Sequence, residues 1–273
     1  MLYYSPEFYK TLQEEAQRSA REIVPLVLPL IQPQRVIDVG CGLGTWLSVL
    51  KEHGIDDVWG IDGEWVNKTM LEIPEDRFLA LDLEKPFALD DQFDLVICLE
   101  VAEHLSQESA DIFIESLTKL GSVILFSAAI PFQGGDNHLN EQWPEYWVRY
   151  FSDRDYLVVD CIRKKIWYSE NVDWWYSQNI LIFVKADHLR DYPLLIKEFD
   201  GNNYASQLSI VHPKKYGSSG LAGVDKLVIP HQVEQKSSSH FSGESRTNLL
   251  AHVGLEVRDT TASLLLHHDL SSV

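Results

Sequence analysis

Residues 36–50 read VIDVGCGLGTWLSVL. An apolar run with one acid, Asp38, leads into Gly40, Gly42 and Gly44 at alternate positions, and a helical apolar pattern starts at Thr45. The stretch predicts a strand, a bare turn and a helix. Glycines allow a tight turn and let the backbone approach a ligand with no Cβ in the way. The helix start that follows offers unpaired N–H groups and a positive dipole end. At the carboxyl edge of a parallel sheet this is the geometry for binding a nucleotide-like ligand.

Outward from the turn, strand and helix signals alternate. Strands are expected over 35–39, 58–61, 78–83, 93–99 and 122–130, and helices over 45–53, 64–71 and 106–120. Continuously apolar strands alternating with helices predict a parallel sheet covered on both faces. Upstream, Ser5-Pro6-Glu7 reads as a helix start, and the helix should run to about residue 21 or beyond. Pro25 and Pro29 should kink or end it. Downstream, 140–151 looks helical. The apolar runs 156–167 and 179–185 are joined by a loop, YSENVDWWYSQ, with no helix of normal length between them. Such consecutive strands are most simply antiparallel. The expected fold is therefore α/β, with a mainly parallel sheet and an antiparallel last strand. The expected division is 1–186 as the main domain and 187–273 as a polar, Gly/Ser-rich extension, either loosely packed or partly disordered.

The chain has 273 residues and a net charge of −18, with 45% hydrophobic residues. That composition is globular. Its acidity disfavours nucleic acid and acidic membrane surfaces as partners. The compact basic run "RKK", Arg163 to Lys165, reads as strand surface. Cys41, Cys98 and Cys161 fit no metal spacing and no disulfide framework. With no secretory signal and no apolar run long enough to cross a membrane, a cytoplasmic protein is expected.

The turn departs from the dinucleotide pattern G-x-G-x-x-G. It reads G-x-G-x-G, and Asp38 precedes it. A carboxylate there is a poor neighbour for pyrophosphate and a good one for a cationic amino group. The ligand expected is a nucleoside joined to a positively charged amino acid, the shape of S-adenosylmethionine. Asp62, just past the second strand, is placed to accept hydrogen bonds from ribose hydroxyls. Asp82, at the end of the third, is placed to read an adenine amino group together with its neighbouring backbone.

The segments VIDVGCGLGTW, GIDGEW, LALDL and FDLVICLEVAEHL occur in the order seen in class I S-adenosylmethionine-dependent methyltransferases, which the chain resembles over about 35–130 and, by strand order, to about 186. The resemblance implies a Rossmann-like seven-stranded sheet with a reversed last strand. It implies that Asp38 and Gly40, Cys41, Gly42 and Gly44 hold the methionine end, Asp62 the ribose, and Asp82 with Leu83 the adenine. It places Glu100 at the cofactor, and Glu103 or His104 at the acceptor. The segment GGDNHLNEQWPEYW, Gly134 to Trp147, is similar to stretches of bacterial methyltransferases acting on small molecules or glycans. His138 within it is the leading general base, because imidazole titrates near neutral pH. Trp143, Tyr146 and Trp147 read as core, and Trp174, Trp175 and Tyr176 as a surface loop closing over an acceptor or a partner.

The expected activity is methyl transfer to a small-molecule or glycan acceptor, at a hydroxyl oxygen. The rivals are an NAD-dependent dehydrogenase, a non-catalytic cofactor-binding interaction module, and a methyltransferase acting on protein or RNA. E-x-x-E-H over Glu100 to His104 raises a metal site, but H-E-x-x-H is absent and no metal is expected. Oligomeric state is open.

Overall fold

The computed structural model describes residues 6–199 and 207–218. These lie in the first of two compact units into which the chain divides, Met1–Val228. The Ser5 cap and the apolar pieces expected at 221–229 and 249–266 fall outside the described residues.

Seven strands form one sheet: β1 (Arg35–Val39), β2 (Asp57–Asp62), β3 (Phe78–Ala80), β4 (Leu95–Leu99), β5 (Val123–Ser127), β6 (Tyr156–Val159) and β7 (Leu181–Lys185). Their spatial order is β3-β2-β1-β4-β5-β7-β6. The pairs among β1 to β5 are parallel, and β7 runs antiparallel to both β5 and β6. This is the Rossmann-like sheet with a reversed last strand that the sequence predicts. Every residue of β4 and β5 is buried. Two covered faces leave no position for polar alternation, so both strands read as unbroken apolar runs.

Helices cover the faces. α1 (Pro6–Ile31) packs on α2 (Thr45–Glu52). α3 (Ala110–Leu120) buries Phe113, Ile114, Leu117 and Leu120 at helical spacing. From α4 (Pro144–Ser152), Trp147 and Phe151 meet Phe126 at ring-centroid distances of 5.5 and 5.4 Å. Phe151 stacks on Phe183 at 3.9 Å, fixing α4 against β7.

Several local expectations are corrected. α1 runs through both prolines. Pro25 and Pro29 lie on its exposed face. The opposite face buries Ile23, Val24, Val27 and Ile31, and that packing outweighs the local cost. The helix expected over 64–71 is a single tight turn, Lys68–Met70. The strand expected to continue through 167 stops at Val159, and the "RKK" residues lie on α5 (Arg163–Ile166). Arg163 is the largest fully buried side chain rather than a surface residue. The YSENVDWWYSQ loop contains α6 (Trp174–Asn179), a helix too short to leave a periodic signal. Tyr176 on it is buried, its ring edge-on to Trp46 at 5.3 Å.

Past β7 come α7 (Pro193–Glu198) and α8 (Pro213–Ser218). Between them Leu208 and His212 are buried. Arg163 donates to the Leu208 carbonyl at 2.8 Å and the Gln178 carbonyl at 2.9 Å, and Gln178 Oε1 accepts from the His212 N–H at 2.8 Å. Residues 207–212 are thereby fastened beside α5 and α6. No helix among the described residues is long and apolar enough to cross a membrane.

Candidate active site

Parallel pairing brings the carboxyl ends of β1, β2 and β4 to one sheet edge. The register sets Asp38 beside Gly60 and Ile97, and Val39 beside Ile61. The glycine turn is pinned there, because the N–H groups of Gly40 and Cys41 both donate to the Ile61 carbonyl, at 2.7 and 3.1 Å.

The three glycines serve different ends, although all have positive φ. A Cβ on Gly40 would stand 2.3 Å from Val101 Cγ2, so that glycine is required by packing. A Cβ on Gly44 would press on Ile73 at 3.2 Å. Gly42, at φ +54°, has no atom within 4 Å of that position. It opens onto free space and is the one of the three placed for close approach of a ligand.

Asp38 is buried, and burial together with the nearby Asp62 pushes its carboxyl up to about 8. Such a group favours a cationic partner. Asp62 Oδ2 accepts from the Gly42 N–H at 2.7 Å and Oδ1 from the Gly63 N–H at 2.6 Å. Burial raises its pKa and those two donors oppose the rise. Cys41 is buried, which holds its thiol far above the ordinary value. Asp82 lies beyond the end of β3, with its carboxylate 51% exposed and bonded to Lys85 Nζ at 2.9 Å. That partner, with the Glu84 N–H, lowers its pKa. Leu83 beside it is buried.

Glu100, just after β4, has φ +54°, a conformation that costs a non-glycine residue about 1–3 kcal/mol. Its surroundings hold it there. Its N–H donates to the Ser127 carbonyl and Oγ, at 3.0 and 3.1 Å. Its carboxylate accepts from Asn179 at 3.0 Å and from Gln133 at 2.9 Å. Gln178 donates to both Gln133 Oε1 and Asn179 Oδ1, which closes a buried polar network. Topology explains the meeting. Leu181 pairs with Phe126, so the reversed β7 begins where the parallel β5 ends, and the residues preceding it arrive at the ligand-facing edge.

Beyond Glu100, the turn Ala102–His104 presents Glu103 and His104. Glu103 is fully buried, and burial next to Glu100 drives its carboxyl pKa well up. His104 stays exposed at the rim, yet the surrounding protein and His138 lower its pKa. The two imidazoles meet edge to face with centroids 4.8 Å apart. Glu141 Oε1 lies 2.9 Å from His138 Nδ1, and its two oxygens also accept from the N–H groups of Gly134 and Phe132, both at 2.7 Å.

Trp147 belongs to the core, whereas Trp143 and Tyr146 are only half-buried. Sequence reasoning missed Gln133, Gln178 and Asn179, which carry no motif, and gave no role to Glu141 within GGDNHLNEQWPEYW. The one accessible signal was an i, i+3 spacing between His138 and Glu141 in a loop rich in polar residues.

A family profile described as a methyltransferase domain matches residues 12–156, more than half of the chain. Among solved structures, the chain is similar to magnesium protoporphyrin IX methyltransferase from Synechocystis PCC 6803, solved with bound SAH. The identity is 18%, the coverage 68% of this chain and 90% of that one, and the TM-score 0.47. It is also similar to an amino pentose methyltransferase from Micromonospora echinaspora, solved with SAM. That match has 15% identity, 68% and 98% coverage and a TM-score of 0.47.

Proposed function

The chain belongs to the methyltransferase-domain family, with S-adenosylmethionine as its cofactor, and we propose that it moves the methyl group onto a hydroxyl oxygen of a small-molecule or glycan acceptor. The observation that carries this reading is a division of labour along one sheet edge. Buried acids surround the open Gly42, and a braced imidazole pair stands just past Glu100.

On the donor side, the cationic methionine end supplies the counter-charge that the buried Asp38 lacks. Gly42 admits the ligand closely, Asp62 faces its ribose, and Asp82 with Leu83 borders its adenine. Glu100 closes the edge toward the methyl group. The sulfonium methyl is already activated, so alignment of donor and acceptor is the protein's main task. A lone pair on the acceptor oxygen forms the new O–C bond, the C–S bond breaks, and its electron pair stays on sulfur. The hydroxyl proton must leave in the same event. His138, held at Nδ1 by Glu141, has Nε2 left to receive it. His104, neutral near pH 7 because its pKa is lowered, is the second imidazole at hand, and the buried Glu103 backs the pair.

The test follows labelled methyl from S-adenosylmethionine into a panel of hydroxylated small molecules and saccharides, with a basic protein and an RNA alongside. Transfer to a hydroxyl of the first group is expected, with turnover reduced in His138→Ala and cofactor affinity retained. Transfer to the protein or RNA alone would overturn the acceptor class, and unchanged turnover in His138→Ala would remove that residue from the chemistry.

A further inference from the structure

Tyr176 lies on α6, beyond residues 12–156 that the family profile matches, and only 8% of it is exposed. Its ring stands edge-on to Trp46, the second residue of α2, which follows directly on the glycine turn. Its hydroxyl has the side chains of Trp46 and Trp175 as hydrogen-bond partners and is within electrostatic reach of Glu100. The phenol therefore stands between the glycine turn and Glu100. An indole has one N–H and no acceptor, so both tryptophans donate to the phenol oxygen. The hydroxyl proton must then point elsewhere, and no acceptor for it occurs among the described residues. Burial holds the phenol pKa well above its ordinary value, so the group keeps that proton and acts as a neutral donor. Ring packing on Trp46 would be served equally by phenylalanine and does not account for the aimed hydroxyl.

The surroundings name the ligand atom that such a donor fits. The methionine end of S-adenosylmethionine carries an ammonium, a sulfonium and a carboxylate. Asp38, Asp62 and Glu100 favour the two cations and repel the carboxylate. The glycine turn has few donors left for it. The N–H groups of Gly40 and Cys41 go to the Ile61 carbonyl, that of Gly42 to Asp62, and that of Gly44 to the Cys41 carbonyl. A neutral O–H serves a carboxylate beside three acids without pairing with the acids, as a lysine or arginine would. Two indoles donating to the oxygen also polarise the O–H and strengthen the hydrogen bond it gives.

We propose that the Tyr176 hydroxyl binds the carboxylate of the cofactor's amino-acid end, with Trp46 and Trp175 as the positioning residues that aim it. Asp38 takes the ammonium and Tyr176 the carboxylate, so the two halves of the zwitterion are held from opposite sides, one from β1 and one from α6. The site then selects a nucleoside that carries a whole amino acid over one that does not. The inference rests on the cofactor part of the methyl-transfer reading and is independent of the acceptor.

The experiment is calorimetry on the full chain with two ligands, S-adenosylhomocysteine and its decarboxylated analogue, which keeps the nucleoside, the sulfur and the ammonium. Tyr176→Phe should weaken S-adenosylhomocysteine at least about tenfold, the loss expected for a hydrogen bond to a charged group, and leave the analogue within about twofold. Trp46→Phe and Trp175→Phe should show a smaller loss with the same selectivity. Thermal unfolding by circular dichroism accompanies each variant, and the tryptophan variants serve if Tyr176→Phe fails to fold. Equal weakening of both ligands overturns the proposal, because a hydroxyl that only supports the site does not distinguish them. Unchanged affinity for S-adenosylhomocysteine overturns it too, and a raised acceptor KM in that variant would move the hydroxyl to the acceptor side. Failure of the unaltered chain to bind S-adenosylhomocysteine overturns the cofactor and this inference together, whereas the other outcomes leave the cofactor in place.

Discussion

Asp62 holds Gly42: the carboxylate at the end of β2 accepts the N–H of the middle glycine of the turn at 2.7 Å. The acid assigned by sequence to the ligand alone is also part of the turn's own scaffold. Asp62→Ala removes both the brace and a ligand contact. Affinity for S-adenosylhomocysteine should fall by more than about tenfold, since a buried donor loses a charged acceptor at a cost of about 1.5–3 kcal/mol. Isothermal calorimetry checks this, and Asp62→Asn, which retains one oxygen, should fall between.

The glycines separate stability from binding. Gly40→Ala drives a methyl group into Val101 and should lower the melting temperature markedly. Gly42→Ala meets no neighbour and carries only the positive-φ penalty of about 1 kcal/mol, yet its methyl group fills the space open to the ligand. Calorimetry with S-adenosylhomocysteine should show weak binding for Gly42→Ala despite near-normal thermal unfolding. The reverse pattern would mean that the open side of Gly42 is not the ligand side.

Asp38 makes both stability and binding depend on pH. Its folded pKa of about 8 lies above the ordinary carboxylate value, so the folded state binds the extra proton between about pH 4 and about 8. Stability from this group is fully present at low pH and is lost as pH rises through that window. A cationic ligand favours the ionised form, so its binding releases the proton. The gain in melting temperature given by S-adenosylhomocysteine should therefore grow from about pH 5.5 to about 7.5. Asp38→Asn should flatten that slope.

Asn179 secures Glu100 in its strained backbone conformation. Asn179→Ala leaves Glu100 Oε1 without its donor and should cost about 1–3 kcal/mol in urea unfolding. A change within about 0.5 kcal/mol would show that Gln133 alone suffices to hold the carboxylate.

The glycine turn and its flanking strand were legible because buried parallel strands write continuous apolar runs and a turn with positive φ at three positions calls for glycine. The reversed last strand followed from the missing crossover helix. α1 was misjudged at Pro25 and Pro29 because local propensity carries no information about which face is buried. α6 escaped because six residues are too few to register a period. The positions of Asp38 and Asp62 at the carboxyl ends of β1 and β2, and of Glu100 just after β4, were legible from the strand pattern. Gln133, Gln178 and Asn179 were not, since their meeting depends on β7 entering the sheet antiparallel beside β5. His104 and His138 were each singled out, but their contact at 4.8 Å depends on the path of a loop that no pattern records.

Arg163 sets where the working unit ends. The sheet is complete at Lys185, and a chain cut there would retain all seven strands. It would also lose the Leu208 carbonyl that Arg163 reaches and the His212 N–H that occupies Gln178 Oε1. Gln178 touches Gln133 and Asn179, which touch Glu100, so the damage would pass from a severed tail to the Glu100 carboxylate in three contacts. Fragments used for crystallisation or for grafting this domain should therefore extend through residue 218, well past the last strand.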